Sequence, residues 1–201
     1  MKKIGLLAIA ILLISQSYSQ LDKSKQKDLI LEFQEEMNTQ FADPEESPLE
    51  EKDREQFKEL DFFPINLDFA FDAEFVRTPN EAPFMMKRTK DEVKYVKYGE
   101  IYFKYKGKEY MLNAYQNLRY IERGGDADYL FIPFNDMTND VSTYGGGRYI
   151  DTDIPEGKTL ILDFNQAYNP YCAYNKKYSC PIPPRENDLK IAIEAGVKAF
   201  H

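Results

Sequence analysis

Residues 163–187 hold the densest group of chemically useful side chains in this chain. They include both cysteines, four tyrosines and four prolines, together with several acids and amides. Proline removes backbone hydrogen-bond donors, and asparagine side chains compete with the backbone for hydrogen bonds, so this composition disfavours a helix or a central strand. The segment is predicted to be a shaped loop, which is where binding and catalytic groups tend to lie.

Acidic side chains offer the most direct route to catalysis. Asp136, Asp163 and Glu186 could form a paired-carboxylate site of the glycosidase type, in which one carboxyl group stays protonated while another is ionised. The other interpretation is that these acids cap turns and solvate hairpin tips. The first interpretation predicts a carboxylate-dependent hydrolase acting on an envelope or carbohydrate substrate.

The sequence lacks the residues that other common catalytic and metal sites need. The single histidine, His201, ends the chain, and hydrolases of the Ser-His-Asp or Cys-His type need a positioned imidazole. Two cysteines alone cannot complete a tetrahedral zinc site, and no dinucleotide-binding or Walker-type glycine pattern is present. Residues 135–140 and 151–156 could offer oxygen ligands to calcium, but neither run fits an EF-hand loop. We therefore expect no cofactor and no metal.

A second group of residues could bind a ligand. The backbone of three consecutive glycines, together with Arg148, could hold an anion such as a carboxylate or phosphate. The alternative is a tight turn in which glycine supplies a positive φ, with Arg148 as the buried partner of Asp136 or Asp163. The expected ligand-binding residues are Thr143, Tyr144, Gly145, Gly146, Gly147, Arg148, Asp163, Asn165, Tyr168, Asn169, Glu186 and Asn187.

Tyrosine is frequent in the same region. Six of these residues could either form a stacking platform for a sugar or an aromatic ligand or pack in the core and at its rim. They are Tyr144, Tyr149, Tyr168, Tyr171, Tyr174 and Tyr178.

The two cysteines, Cys172 and Cys180, lie close together in the sequence. In an exported chain this even count favours a disulfide, which for so short a loop would stabilise the fold by roughly 2–3 kcal/mol. The alternative is a pair of free thiols that behave as small apolar side chains.

The N-terminal sequence predicts export. Lys2 and Lys3 precede an apolar run at residues 4–14, and small polar residues follow. Ser17 and Ser19 suit the positions three and one residues before a signal-peptidase cut, so residues 1–19 are predicted to be a signal peptide. The alternative is an uncleaved N-terminal anchor, although the apolar run is shorter than the ~20 residues of a membrane span. Either way, a periplasmic or extracellular protein is expected.

Charge excludes some partners. Without Lys2 and Lys3 the chain has 24 basic and 34 acidic residues, a net charge of −10. Nucleic acids and anionic membranes reward clustered Lys and Arg, so neither is an expected partner. The oligomeric state stays open.

The elements that must position these residues follow from hydrophobic periodicity. A helix is predicted at residues 21–41, within an N-terminal helix and linker region at 20–49, and a short second helix at 50–59. A β-rich domain is predicted at 50–201. Alternating or apolar runs predict strands at 67–75, 93–98, 100–105, 109–116, 129–134, 148–153 and 159–164.

These elements predict a single, mainly β domain of the α+β class, with N-terminal helices and an antiparallel β-sandwich or small barrel. Gly99 is predicted to separate two of the strands. The last segment, residues 189–200, suits either a strand or a helix, and we favour a strand that ends at Ala195 and Gly196.

The order of several short motifs resembles a known family. The motifs are LFIPFNDMT at 130–138, TYGGGRY at 143–149, DFNQAYNP at 163–170, SCPIPP at 179–184 and the Ala-Gly pair at 195–196. In type and order they resemble the family catalogued as domain of unknown function 1684. This resemblance covers the C-terminal part of the chain and implies no settled activity.

Together these observations favour an exported binding or structural module of the bacterial cell envelope that is not an enzyme. Its polar or anionic small-molecule ligand would lie between residues 145–148 and 163–187. The hydrolase that uses Asp136, Asp163 or Glu186 remains the alternative.

Overall fold

Residues 22–200 are the part of the chain that the computed structural model describes. The expected signal peptide, residues 1–19, and His201 lie outside this part. The helices are α1 Lys23–Ala42, α2 Glu51–Arg54 and α3 Leu118–Glu122. The strands are β1 Ala70–Arg77, β2 Phe84–Lys87, β3 Glu92–Tyr105, β4 Lys108–Asn117, β5 Tyr129–Phe134, β6 Arg148–Asp153 and β7 Thr159–Asp163.

The strands form one antiparallel sheet. Their order is β6-β5-β4-β3-β1-β7, and β2 pairs with β3 beside this path. The sheet curls into a half-barrel. The prediction of a single, mainly β domain with an N-terminal helix is therefore confirmed, and the sheet has the form of an incomplete barrel.

The two faces of the curled sheet carry different hydrophobic clusters. Side chains alternate between the faces along each strand, so Leu130 and Ile132 of β5 belong to the inner core, whereas Phe131 between them belongs to the outer cluster. The buried residues of the outer cluster are Met86, Val93, Tyr95, Tyr115, Phe131 and Tyr149. This outer cluster is the floor of the site described below.

A β-bulge lets β3 contribute to both clusters. The register with β4 shifts between Lys97 and Gly99. Tyr95 packs in the outer cluster and Ile101 in the inner core, although two odd-numbered residues would share a face in a regular strand. The extra residue of the bulge reverses the alternation. Glycine is required at position 99 because a Cβ there would lie 2.5 Å from the Phe75 ring.

Helix α1 packs beside the long C-terminal loop, residues 164–187. The side chain of Asp22 caps its first turn by accepting hydrogen bonds from the amides of Ser24 at 3.1 Å and Lys25 at 3.3 Å. Near its other end, Phe41 is fully buried and meets the Tyr174 ring edge-on, at 4.7 Å between centroids. Burying a side chain of this size contributes about 1.5–3 kcal/mol. The helix is thereby held against the loop.

Several local predictions were wrong. The strand expected at 67–75 begins with a 3-10 turn, Leu67–Phe69, because the Asn66 side chain accepts a hydrogen bond from the Asp68 amide. Gly99 lies inside one continuous strand, and the second helix is a single turn. Residues 189–200 form neither a strand nor a helix. Carbonyls of this segment accept hydrogen bonds from the Arg148 side chain, as described below. Strand β2 and helix α3 were not predicted.

Candidate ligand-binding site

Arg148, the basic residue expected to hold an anion, is buried where β6 meets the C-terminal segment. Its Nη2 lies 2.7 Å from Oδ2 of Asp136, and neither side chain is exposed. Nη2 also donates to the carbonyl of Ile193 at 2.9 Å, and Nη1 donates to that of Ala195. Burial lowers the pKa of Arg148, while the Asp136 carboxylate opposes that shift. The guanidinium cross-links the fold and has no surface left for a ligand.

The three carboxylates expected to catalyse a reaction have separate environments. Asp136 is bound to Arg148. Asp163 is buried and accepts a hydrogen bond from Nε2 of Gln26 at 2.5 Å. Glu186 is exposed on a 3-10 turn. Asp136 and Asp163 are therefore held by internal partners, and none of the three acids lines the cavity described below.

The expected amide residues also have internal partners. Asn165, Asn169 and Asn187 are buried, and their side chains hydrogen-bond to backbone groups of other segments. They therefore join loops to the sheet and to each other. Asn187 bonds the backbone of Asn113 and Pro133, Asn165 bonds that of Asn66, and Asn169 bonds that of Lys198.

The glycine loop is shaped by close packing. Gly147 has a φ of 87°, and a Cβ at this position would lie 2.8 Å from the carbonyl oxygen of Phe134. Gly145 and Gly146 are exposed, and the buried hydroxyl of Thr143 lies 2.8 Å from that of Thr138. These contacts match the interpretation of the glycines as a tight connection.

A cavity of about 800 Å³ lies over the outer face of the sheet. Strands β3 to β6 form its floor, helix α1 forms one wall, and residues 168–181 of the long loop form another. Of the expected ligand-binding residues, Tyr168 lines it. The cavity is lined by Phe33, Glu36, Met37, Gln40, Arg88, Tyr95, Asn117, Tyr120, Tyr129, Phe131, Tyr149, Asp151, Tyr168, Pro170, Tyr171, Tyr178, Ser179, Cys180 and Pro181.

Aromatic rings make up much of this lining and contact one another. Phe131 lies at the centre of the floor, with its ring centroid 4.7 Å from that of Tyr149 and 5.9 Å from that of Tyr95. On the loop, the rings of Tyr171 and Tyr178 are 5.2 Å apart. Of the six tyrosines considered as a stacking platform, four line the cavity. They are Tyr149, Tyr168, Tyr171 and Tyr178.

Asp151 places a carboxylate among these rings. Oδ1 accepts a hydrogen bond from the Tyr129 hydroxyl at 2.6 Å, and Oδ2 accepts one from the Tyr168 hydroxyl at 2.6 Å. Asp151 is exposed to the water of the cavity, and the protein atoms around it only partly reduce its hydration. This reduced hydration raises the pKa of the Asp151 carboxyl group, and the two hydroxyl donors only partly oppose the rise.

The tyrosine hydroxyl groups around Asp151 already donate their hydrogens to protein acceptors. A phenol has one hydrogen to donate. Tyr129 and Tyr168 donate theirs to Asp151, and Tyr149 donates its own to the carbonyl of Pro181. Burial raises the pKa of all three phenols well above the usual value, so they stay protonated at neutral pH. Towards a ligand, the three hydroxyl oxygens present lone pairs.

Arg88 is the basic residue of the cavity lining. Its Nη1 lies 3.4 Å from the Asp91 carboxylate, and its Nη2 donates to the carbonyl of Ser179. These two nitrogens fasten the end of β2 to the long loop, whereas the buried Nε has no hydrogen-bond partner among the described residues. Among the described residues, no Lys or Arg forms an ion pair with Asp151.

Cys172 and Cys180 are unbonded, and their thiols interact. The sulfur of Cys180 accepts a hydrogen bond from the Cys172 amide at 3.1 Å. A hydrogen bond with the Cys180 thiol lowers the pKa of Cys172 to about 7, with help from the Tyr144 hydroxyl. The disulfide stays a prediction. Because Cys180 lines the cavity, this pair lies next to the site.

Sequence reasoning considered Asp151 only as a calcium ligand. Within residues 22–200, no group of three or more His, Cys, Asp or Glu side chains is placed to hold a metal ion. A signal for the cavity was nevertheless present, since Tyr129 and Phe131 of β5 alternate with core residues, as do Tyr149 and Asp151 of β6. Aromatic residues on the face opposite the core of two neighbouring strands indicate a second packed surface.

The same described part of the chain has no helix with the length and apolar character needed to cross a bilayer.

Comparisons with known proteins place this fold among uncharacterised relatives. A family model described as "Protein of unknown function (DUF1684)" matches residues 55–198. The solution NMR structure of an uncharacterized protein of Haloarcula marismortui is 28% identical, with a TM-score of 0.69. That match covers 88% of this chain and 96% of the other. A search of curated proteins finds no match.

Proposed function

The chain belongs to the family described as protein of unknown function DUF1684, and since that description assigns no activity, we propose a function from the geometry of the cavity. The protein binds a small organic molecule between the outer face of the sheet, helix α1 and the long loop. It holds this molecule without transforming it. The site thus differs from the one expected at residues 145–148, where Arg148 is already occupied.

One observation carries the proposal. The Asp151 carboxylate lies on the floor of an aromatic cavity, held by two tyrosine hydroxyls at 2.6 Å each, with no basic partner among the described residues. Placing a charge where hydration is reduced costs stability unless a partner compensates for it. A ligand supplies such compensation, and concave apolar sites with a few convergent polar groups are the usual form of small-molecule sites.

The dimensions support a small molecule. Ligand cavities range over roughly 300–1,000 Å³, and a cavity of about 800 Å³ falls within that range. The rings of Phe131, Tyr149 and Tyr95 offer flat apolar surfaces, while Asn117 and Gln40 add polar groups at the sides. Such a surface suits a molecule with a ring or another flat apolar body.

A thermal-shift screen tests the proposal. The purified chain is screened against sugars, organic acids, amines, nucleotides and ring-containing fragments, and hits should raise the melting temperature by an amount that grows with the logarithm of ligand concentration. Tyr178→Ala removes a cavity wall and should abolish the shift. Tyr102→Ala removes a half-buried tyrosine far from the cavity lining and should retain it. No shift with any class, or shifts that survive Tyr178→Ala, would contradict the proposal.

A carboxylate-dependent hydrolase is the second candidate, and the raised pKa of Asp151 favours it. General acids among carboxyl groups have a pKa raised from the ordinary value, and the pKa of Asp151 is raised by burial. Glu36 also lines the cavity and would be the second carboxylate. Chromogenic glycosides and esters separate the two candidates, because turnover that Asp151→Asn abolishes supports the hydrolase, whereas binding without turnover supports the leading proposal.

We also propose that the protein works in the periplasm or outside a bacterial cell. The support is the basic, apolar and small-residue pattern of residues 1–19. The chain recovered from the envelope fraction should begin at or near Gln20 on N-terminal sequencing. Recovery in the cytoplasmic fraction with Met1 retained would contradict this localisation.

A further inference from the structure

Hydrogen-bond polarity at the cavity floor limits the chemistry of the ligand. Tyr129, Tyr149 and Tyr168 have each donated their hydroxyl hydrogen to a protein acceptor. Around Asp151 the floor therefore presents lone pairs, from the carboxylate and from these phenol oxygens. A ligand acceptor placed there would meet other acceptors, whereas a ligand donor would find several partners.

The charge balance points the same way. Asp151 and Glu36 are the acids of the cavity lining, and Arg88 is its basic residue. The Arg88 guanidinium has Asp91, at 3.4 Å, as its ion-pair partner and also donates to the carbonyl of Ser179, so its nearest counter-charge is Asp91 and not a cavity carboxylate. The sequence as a whole carries a net charge of −8, which favours the approach of cations over that of anions.

The aromatic walls add a third preference. The negative faces of tyrosine and phenylalanine rings attract cations, most strongly where water is excluded. Tyr149 and Phe131 meet at 4.7 Å on the floor, and Tyr149 and Tyr168 meet at 5.7 Å. These rings line the same cavity as the Asp151 carboxylate.

From this geometry we infer that the ligand of this cavity is a protonated amine carried on an aromatic or apolar body. The ammonium group lies against Asp151 and donates to its oxygens and to the tyrosine oxygens beside it. The body stacks on the rings of the floor and of the long loop. This inference rests on the proposed binding function, and it contradicts the anionic ligand expected from the glycine loop.

Three probes of similar shape and different charge test the inference. Isothermal titration at neutral pH measures the dissociation constants of 2-phenylethylamine, 2-phenylethanol and 3-phenylpropionate. The native chain should bind the amine at least about ten-fold more tightly than the alcohol, the factor expected of one charge-assisted contact, and should bind the carboxylate most weakly. An equal or tighter affinity for the alcohol or the carboxylate would overturn the inference.

Asp151→Asn provides the decisive variant, with Asp153→Asn as its matched control. Both remove one negative charge from an exposed aspartate on the same face of β6, but Asp153 does not line the cavity. Asp151→Asn should reduce amine affinity at least about ten-fold and leave alcohol affinity unchanged. Asp153→Asn should behave as the native chain. A preference for the amine that survives in Asp151→Asn would also overturn the inference.

The experiment separates this inference from the function on which it rests. If all three probes bind equally well and Tyr178→Ala weakens all of them, the cavity binds small molecules and only the amine class is wrong. If none of the probes binds at millimolar concentration, the result counts against both. Circular dichroism of Asp151→Asn checks that loss of binding does not reflect loss of the fold.

Discussion

Replacing Arg148 with alanine should unfold much of the C-terminal half of the protein. The substitution leaves the Asp136 carboxylate buried without its partner, which lies 2.7 Å away in the native chain. It also removes the donors that reach the carbonyls of Ile193 and Ala195. These groups would be left unsatisfied in the interior, and residues 193–195 would lose their side-chain link to β6.

The expected loss follows from these contacts. Removing one member of a buried ion pair costs about 3–5 kcal/mol, because the remaining charge stays buried and unpaired. Each carbonyl left without a donor adds roughly 1–3 kcal/mol where water cannot reach it. Against a total stability of about 5–15 kcal/mol, Arg148→Ala should leave the chain marginally folded or unfolded.

Urea denaturation followed by circular dichroism measures this loss, and the absence of tryptophan makes the far-ultraviolet signal preferable to fluorescence. Arg185→Ala removes an exposed arginine from the same loop region and should change stability by no more than about 0.5 kcal/mol. Arg148→Lys retains the charge but loses the planar fork, and should give an intermediate loss. An Arg148→Ala variant with native stability that no longer bound ligand would refute the cross-link and restore Arg148 as a binding residue.

Three further predictions concern the site and its supports. Asp151→Asn should raise the melting temperature at pH 7 by about 1–2 °C, a small gain because cavity water still reaches the group. The folded chain binds the Asp151 proton more tightly than the unfolded chain does, so native stability falls relative to the variant as pH rises from the ordinary pKa of 3.8 to the raised one. Melting curves from pH 3 to pH 7 check this, and a constant difference would contradict it. Gly147→Ala should destabilise by about 1–3 kcal/mol, since its φ is 87° and its Cβ would meet backbone, whereas Gly157→Ala has open space and should be nearly neutral. Oxidised glutathione should convert Cys172 and Cys180 to a disulfide and release two molecules of reduced glutathione. The disulfide should raise the free energy of unfolding, measured by denaturation, by roughly 2–3 kcal/mol. Thiols that can still be alkylated after this treatment would contradict the prediction.

Local periodicity was sufficient for much of the fold. The strands at 129–134 and 148–153 were predicted with the bounds that the structure shows, and helix α1 lies within two residues of its prediction. These elements have a regular pattern of buried residues, so each can be predicted from its own sequence. The pairing of Arg148 with Asp136 was one of the two partners considered.

Features that depend on distant residues could not be predicted in this way. The bulge lies near Gly99, where the Phe75 ring of another strand occupies the space that a side chain would need. The C-terminal segment is irregular because Arg148 takes its carbonyls, which otherwise would suit a strand ladder. In both cases a tertiary contact overrides local preference.

The cavity itself depends on register and on packing between elements. Phe131 and Asp151 are paired across β5 and β6, so the ring and the carboxylate meet only in this register. The walls come from helix α1 and the long loop, which are far from these strands in sequence. Of the four tyrosines in the dense loop, Tyr168, Tyr171 and Tyr178 line the cavity, whereas the acids and amides of the loop are elsewhere.

The central claim is that a small molecule binds on Asp151 and the surrounding rings. A crystal structure of the chain with its best hit from the thermal-shift screen tests this most directly. We predict a molecule inside the cavity, with a donor within hydrogen-bond distance of the Asp151 carboxylate and its body against Tyr149 and Tyr168. A ligand bound elsewhere, or an empty cavity at saturating ligand, would contradict the claim.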